Sequence, residues 1–180
     1  MILDPSDFDD RPYRIPNQEE SRDFIEFIEK SEEELLINLF GYQFYSELIS
    51  GLETSGTIDP IYLNIRDGGE YTSGGKTYKY KGLVYTLVPA VYSMWIDQNA
   101  YKFTNIGYVT NNAPQQATTI DNEPFVVGAW NDYVNRVGKT CAYSSTWNRS
   151  NTLYSFYQAN KSDYENLKFN PPEYRNRFGF

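Results

Sequence analysis

The chain has 180 residues and a net charge of −8, with 24 acidic side chains against 16 basic ones. It contains no histidine and one cysteine, Cys141, which excludes histidine-assisted nucleophilic catalysis, histidine-ligated zinc and any disulfide within the chain. Clasping a phosphate backbone needs clustered Lys and Arg, and with no basic run the composition argues against direct nucleic-acid binding.

Residues 1–20 place Pro5, Pro12 and Pro16 among Asp4, Asp7, Asp9 and Asp10. Proline fixes φ and lacks a donor, so this segment reads as an extended arm. Its apolar anchors, Ile2, Leu3, Phe8, Tyr13 and Ile15, predict that it lies on something, its own domain or a neighbour. The opening has no basic region followed by an apolar one, so no signal peptide is expected and the chain is expected to act in a reducing cytoplasm. Asp7, Asp9 and Asp10 lack the loop glycine and distal Glu of a calcium site.

Ser21 is placed to cap a helix from Arg22 whose apolar face holds Phe24, Ile28, Leu35 and Leu39, widened by Ile25, Leu36 and Phe40. Glu26, Glu29, Lys30, Glu32, Glu33 and Glu34 are assigned to its solvated side. Gly41 ends or bends it, and a second helix over 42–52 carries Phe44, Tyr45, Leu48, Ile49 and Leu52. From Ile61 the period changes to two (Ile61, Leu63, Ile65), with Gly68-Gly69 and Gly74-Gly75 as punctuation and Tyr78 and Tyr80 alternating again. This predicts a glycine-turned β-hairpin or looped-out insert over 57–80. Gly75-Lys76-Thr77 imitates the end of a phosphate-binding loop, but Glu70 stands where its first glycine belongs.

The 80–101 stretch is the most apolar. Between Leu83 and Ile96 only Thr86, Pro89 and Ser93 are neither apolar nor aromatic, which predicts a buried central helix kinked where Pro89 removes the bond to the Tyr85 carbonyl. The run is shorter than the roughly 18–20 residues that span a bilayer, and no membrane partner is expected. Residues 103–122 are polar and turn-rich, with a short strand at Ile106, Tyr108 and Val109. A helix then starts at Glu123, capped by Asp121 or Asn122, with Pro124 in its first turn. Its stripe is Val127, Trp130, Val134, Val137 and Cys141, weakened at Gly138 and Ser144–Thr146 and resumed at Trp147, Leu153, Tyr154, Phe156 and Tyr157. One bent helix, or two separated near 144–151, is expected. Pro171-Pro172 stops any helix in the 169–180 tail, whose apolar hooks are Tyr174, Phe178 and Phe180 and whose charged ones are Arg175 and Arg177. Its basic character against an acidic body suggests docking on an acidic surface of a partner or sister subunit, and a frayed terminus is the plainer reading.

The sum is a mainly α fold: a core of about four helices over 21–168, an inserted glycine-rich hairpin, and extended terminal arms at 1–20 and 169–180. Tyrosine-rich composition (17 Tyr) suits extensive half-buried interfaces as well as it suits a Tyr-rich core.

The order of features carries a resemblance. An arm ending Ile15-Pro16-Asn17 precedes Phe24-Ile25, Ile28-Glu29, then Leu35, Leu39-Phe40-Gly41-Tyr42 and Tyr45. A glycine-rich insert follows with Tyr78, Tyr80-Lys81-Gly82-Leu83, and the central helix leads to Phe103-Thr104-Asn105-Ile106-Gly107-Tyr108. From about Ile15 to Tyr157 this series resembles small structural proteins of tailed phages infecting Bacteroides-like bacteria, which in turn look like head–tail connector (adaptor, or head-completion) proteins. The region 140–152 matches poorly and the C-terminal tail does not align. The resemblance implies a virion protein made in the host bacterial cytoplasm and assembled as a ring beneath the portal, with the portal's twelvefold symmetry, a dodecamer around the DNA channel. Implied partners are other copies of the chain, the portal protein, and a tail protein or second connector ring. No catalytic, metal-binding or cofactor-binding residue is implied, and no cofactor. The candidate interface residues are Tyr174, Arg175, Arg177, Phe178 and Phe180 of the tail and Phe8, Tyr13 and Ile15 of the N-terminal arm. Other readings are another virion scaffold or tail protein, a carbohydrate-binding module built on exposed aromatics, and a carboxylate-dependent enzyme, for which no pair of Asp or Glu is nominated.

Overall fold

The computed structural model describes residues 1–9, 12–15, 22–53, 59–99, 101–104, 107–110, 123–138 and 151–176. They form a mainly helical fold. In chain order it contains α1 (Arg22–Phe40), α2 (Tyr42–Glu53), α3 (Pro60–Asp67), β1 (Gly69–Ser73), β2 (Lys76–Tyr80) and α4 (Gly82–Asn99). There follow β3 (Tyr101–Thr104), β4 (Gly107–Thr110), α5 (Glu123–Val137) and α6 (Leu153–Ala159). Short 3-10 turns occur at Pro5–Phe8 and Lys161–Asp163.

α4 is the axis. Every residue from Thr86 to Val91 is buried, more than one full turn, so the helix meets neighbours on all sides. It packs against α1, α3, α5, α6 and the Pro5–Phe8 turn. Its two hydroxyls inside the core are satisfied: Thr86 Oγ1 donates to the Gly82 carbonyl at 2.9 Å, and Ser93 Oγ donates to the Val126 carbonyl of α5 at 2.8 Å. The expected helix is therefore present and central, with Pro89 inside it. Of the two arrangements expected for the following tract, the structure has separate helices, α5 and α6, with α5 ending at Val137, ahead of the expected 144–151 break. Gly138, just past α5, lies so close to Thr152, the N-cap of α6, that a Cβ there would come within 2.4 Å of it.

Three local expectations are corrected. The alternation Ile61, Leu63, Ile65 is not a strand but α3, because Asp59 caps the Ile61 amide at 2.9 Å and Pro60 occupies the first helical position. Ile61 and Ile65 then fall one turn apart, with Ile65 fully buried. The hairpin of the 57–80 insert is confined to β1 and β2, paired antiparallel from Gly69↔Tyr80 to Ser73↔Lys76. Its two-residue turn, Gly74-Gly75, has φ of 57° and 75°, the signature of a type I′ turn, so the phosphate-loop look-alike is a hairpin turn. The third correction is Glu32, which is not on the solvated side: it is 3% exposed and accepts the amides of Ile2 and Leu3 at 2.7–2.9 Å.

The N-terminal arm is part of the core. Leu3, Phe8 and Ile15 are buried with the helices, and Phe8 meets Phe24 edge-on at 5.3 Å, which in turn meets Trp95 of α4 at 4.8 Å. Ile15 N–H donates to the Phe8 carbonyl at 2.8 Å, closing the arm into a loop. The Ser21 cap, the Asp121 or Asn122 cap and the Cys141 position lie outside the described residues. So does Ile106 of the short strand expected there, whose Tyr108 and Val109 fall in β4, paired antiparallel with β3.

Candidate functional site: the α5 platform

α5 turns Ala129, Tyr133, Val134 and Val137 inward to the core, chiefly against α4. Its other sides receive both ends of the chain. Val134 and Val137 lie in the core as their place in the stripe predicts, whereas Val127 and Trp130 are only half-buried.

The N-terminal arm reaches α5 through Tyr13. Its hydroxyl donates to Asp132 Oδ2 at 2.5 Å, and Arg136 Nη2 lies 2.6 Å from the same oxygen. Arg136 Nη1 donates to the Tyr85 carbonyl at 2.5 Å. Tyr85 is the residue four before Pro89, whose ring nitrogen cannot supply the usual helical bond, so the guanidinium fills the acceptor that the proline leaves open. The guanidinium carbon also sits 3.9 Å from the centre of the Tyr85 ring and 5.4 Å from that of Tyr13, and Tyr13 meets Tyr92 edge-on at 5.3 Å. Burial, reinforced by the bond to Asp132, pushes the Tyr13 phenol well above its ordinary range, so it remains a protonated donor.

The C-terminal tail reaches the same helix. Leu167 is buried and Phe169 stacks on Tyr157 at 5.5 Å with an interplanar angle of 14°. The amides of Lys168 and Asn170 donate to the Phe40 and Leu39 carbonyls at 3.2 and 2.7 Å, satisfying acceptors that the end of α1 leaves open. Beyond this anchor the chain runs extended through Pro171-Pro172. Trp130 Nε1 donates to the Glu173 carbonyl at 2.8 Å. Asn131 grips the backbone of Arg175 at both groups, Nδ2 to the carbonyl and Oδ1 from the amide, each at 2.9 Å. The Arg175 guanidinium lies 3.8 Å over the Trp130 ring, and Tyr174 donates its hydroxyl to Asn135 Oδ1 at 2.5 Å. An aromatic side chain donating to a carbonyl of a Pro-Pro segment is the mode by which grooves recognise extended proline-rich peptide. Under the prolines, Leu35, Leu39, Trp130 and Tyr133 line a cavity of about 290 Å³.

Of the predicted interface residues, Tyr13, Tyr174 and Arg175 converge on α5. Phe8 and Ile15 are buried in the chain's own core and present no surface, which corrects their assignment to an outer interface. Arg177, Phe178 and Phe180 lie outside the described residues. The α5 side of these contacts, Trp130, Asn131, Asp132, Asn135 and Arg136, is not among the residues nominated from sequence. A signal for it existed: 131 with 135, and 132 with 136, are one-turn pairs of short amides and an ion pair, groups suited to holding backbone rather than to facing water.

Elsewhere, α1 and α2 flank an acidic cleft of about 380 Å³ lined by Glu26, Glu29, Glu32, Glu33 and Glu53. Among the described residues no group of three or more Asp, Glu or Cys side chains is arranged to hold a metal ion, and no helix is long and apolar enough to cross a membrane. No protein-family model matches the chain, and neither a curated protein nor a solved structure matches it.

Proposed function

We propose that this chain is a structural subunit of a tailed-phage virion, forming a ring at the head–tail junction that joins portal to tail around the DNA channel. The observation that carries the reading is the α5 platform: the N-terminal arm is tied to this helix by the Tyr13–Asp132 side-chain bond and the C-terminal tail by side chains that grip its extended backbone, as suits a part that assembles through its arms. The charge of −8 supports it, since the wall of a DNA channel repels rather than grips its cargo. So does the content of the platform, which is amides, aromatics and one ion pair, a set for holding chain rather than for catalysis. A carbohydrate-binding module fits less well, because the aromatics of the platform are occupied by the tail and the core is helical.

The test is mass per particle by light scattering on the purified protein, alone and mixed with portal protein. A ring-sized species, or co-elution with the portal, is expected. A monomer indifferent to the portal overturns the reading.

A further inference from the structure

We infer that the cavity between α1, α5 and the tail is a binding site for a small uncharged aromatic molecule carrying one hydrogen-bonding group, of the size and polarity of phenol. The inference goes beyond the ring reading and does not rest on it.

The cavity measures about 290 Å³. An apolar cavity of about 150 Å³ already holds benzene, so one substituted ring fits with every part of the chain left in place. Its walls are Leu35 and Leu39 of α1, both buried, Trp130 and Tyr133 of α5, and Pro171 and Pro172 of the tail. These are side chains that pack on a flat ring: leucine and proline through their C–H groups, the two aromatics in the edge-on manner in which they meet each other, at 5.3 Å and 66°.

One polar group on these walls sets the chemistry of the guest. Tyr133 is 2% exposed, yet its hydroxyl makes no hydrogen bond among the described residues. Burial alone shifts its pKa, raising it above the ordinary tyrosine value, so the group stays protonated and can both donate and accept. A buried hydroxyl left unpaired costs the fold free energy, and a guest that bonds to it recovers that cost on binding. The other donor on the walls, Trp130 Nε1, is committed to the Glu173 carbonyl at 2.8 Å, which leaves Tyr133 as the free one. Asn38, Asn170 and Glu173 complete the lining and are exposed, so they stand on its outer side. Glu173 and the chain's charge of −8 disfavour an anion, and no carboxylate on the buried walls rewards a cation. The guest is therefore neutral. Because the walls come from segments distant in sequence, it would also hold the tail on the body by mass action.

The test is a titration of the intact protein with phenol, followed by NMR at the Trp130 indole N–H. A saturable shift of that signal is expected, together with intermolecular Overhauser contacts from the phenol ring to the Leu35 and Leu39 methyl groups. Tyr133→Phe keeps the ring and removes the hydroxyl. It should weaken phenol binding severalfold relative to binding of toluene, which has the same ring and no polar group. A Trp130 signal that stays fixed or moves without saturating, or a phenol ring that does not contact the two leucines, overturns the inference. So does a phenol-to-toluene affinity ratio that Tyr133→Phe leaves unchanged. The shift and the contacts are read on the wild type, so they decide the matter even if the variant does not fold. The ring reading is decided separately, by light scattering.

Discussion

Glu32 shows how one side chain fixes a terminus. Its carboxylate takes the Ile2 and Leu3 amides inside the core, while burial, opposed by these bonds, raises its pKa above the ordinary carboxylate value. A group whose folded pKa is raised favours the fold most when protonated. Its contribution is full below the unfolded pKa and is lost as pH rises through the folded one. Glu32→Gln keeps one acceptor for both amides and removes the charge. The variant should therefore gain on the wild type in urea midpoint at pH 7, and the gain should shrink toward pH 4; a pH-independent difference would contradict the account. Glu32→Ala strands the buried Leu3 amide and the half-buried Ile2 amide and should cost about 1.5–3 kcal/mol, the range for bonds to charged groups. Tyr80 makes the opposite case. It is 1% exposed, stacked on Phe156 at 4.9 Å, and its hydroxyl, beside the Thr86 side chain, makes no hydrogen bond of normal geometry. Tyr80→Phe should leave thermal stability unchanged or raise it by up to about 1 kcal/mol, since it removes an unpaired buried polar atom. A loss of more than about 1 kcal/mol would show that the hydroxyl is satisfied.

At the scale of elements, α4 and α5 are coupled through a defect. Pro89 leaves the Tyr85 carbonyl open, and Arg136 of α5 closes it while holding Asp132 and, through it, Tyr13 of the N-terminal arm. Arg136→Ala should destabilise by about 2–3 kcal/mol, because a half-buried carbonyl and carboxylate lose a charged donor together. Pro89→Ala restores an amide four residues after Tyr85, so in that background Arg136→Ala should cost less, with a coupling above about 0.5 kcal/mol in a double-mutant cycle. Strict additivity would break the link between proline and arginine. This pairing also marks where reading the sequence stops. Pro89 and its open carbonyl are local and legible, and so are α1, α2 and α4, whose apolar faces repeat over three or more turns. Arg136 is 51 positions from Tyr85, and no local pattern names it. α3 is ambiguous in sequence because three alternating apolar residues fit either period, and the decisive signal is the Asp59-Pro60 cap just before them. Glu32 sits in a run of Glu whose other members are exposed, and only the returning N-terminal arm makes its environment different. The platform was half legible: Tyr13, Tyr174 and Arg175 stand out as hooks in proline-rich arms, while their receptors lie on a helix whose polar side looks like ordinary solvated surface.

For the whole molecule, the arms and the charge make separate demands. Two cations are engaged at the platform: Arg136 with Asp132 and the Tyr85 carbonyl, and Arg175 over Trp130. The acidic residues are not neutralised to the same degree, since the cleft between α1 and α2 gathers five Glu side chains with Lys30 in its lining and Arg22 paired to one of them, Glu26, at 2.7 Å. The Lys side chains of the β1–β2 hairpin, Lys76 and Lys79, are exposed, but Lys79 stands directly opposite Glu70 in the pairing, which dilutes the positive field there. A duplex approaching such a surface would release few counterions and meet net repulsion, which is strongest at low salt where the screening length is longest. The protein should therefore fail to retard duplex DNA in a gel at about 10 mM salt, where a non-specific binder is most readily caught. The proposed ring would leave this unchanged, because it would repeat the same acidic surface in every subunit. A shift at low salt that fades as salt rises would mean that a basic face grips the duplex, and a ring of this chain would not form a repulsive channel.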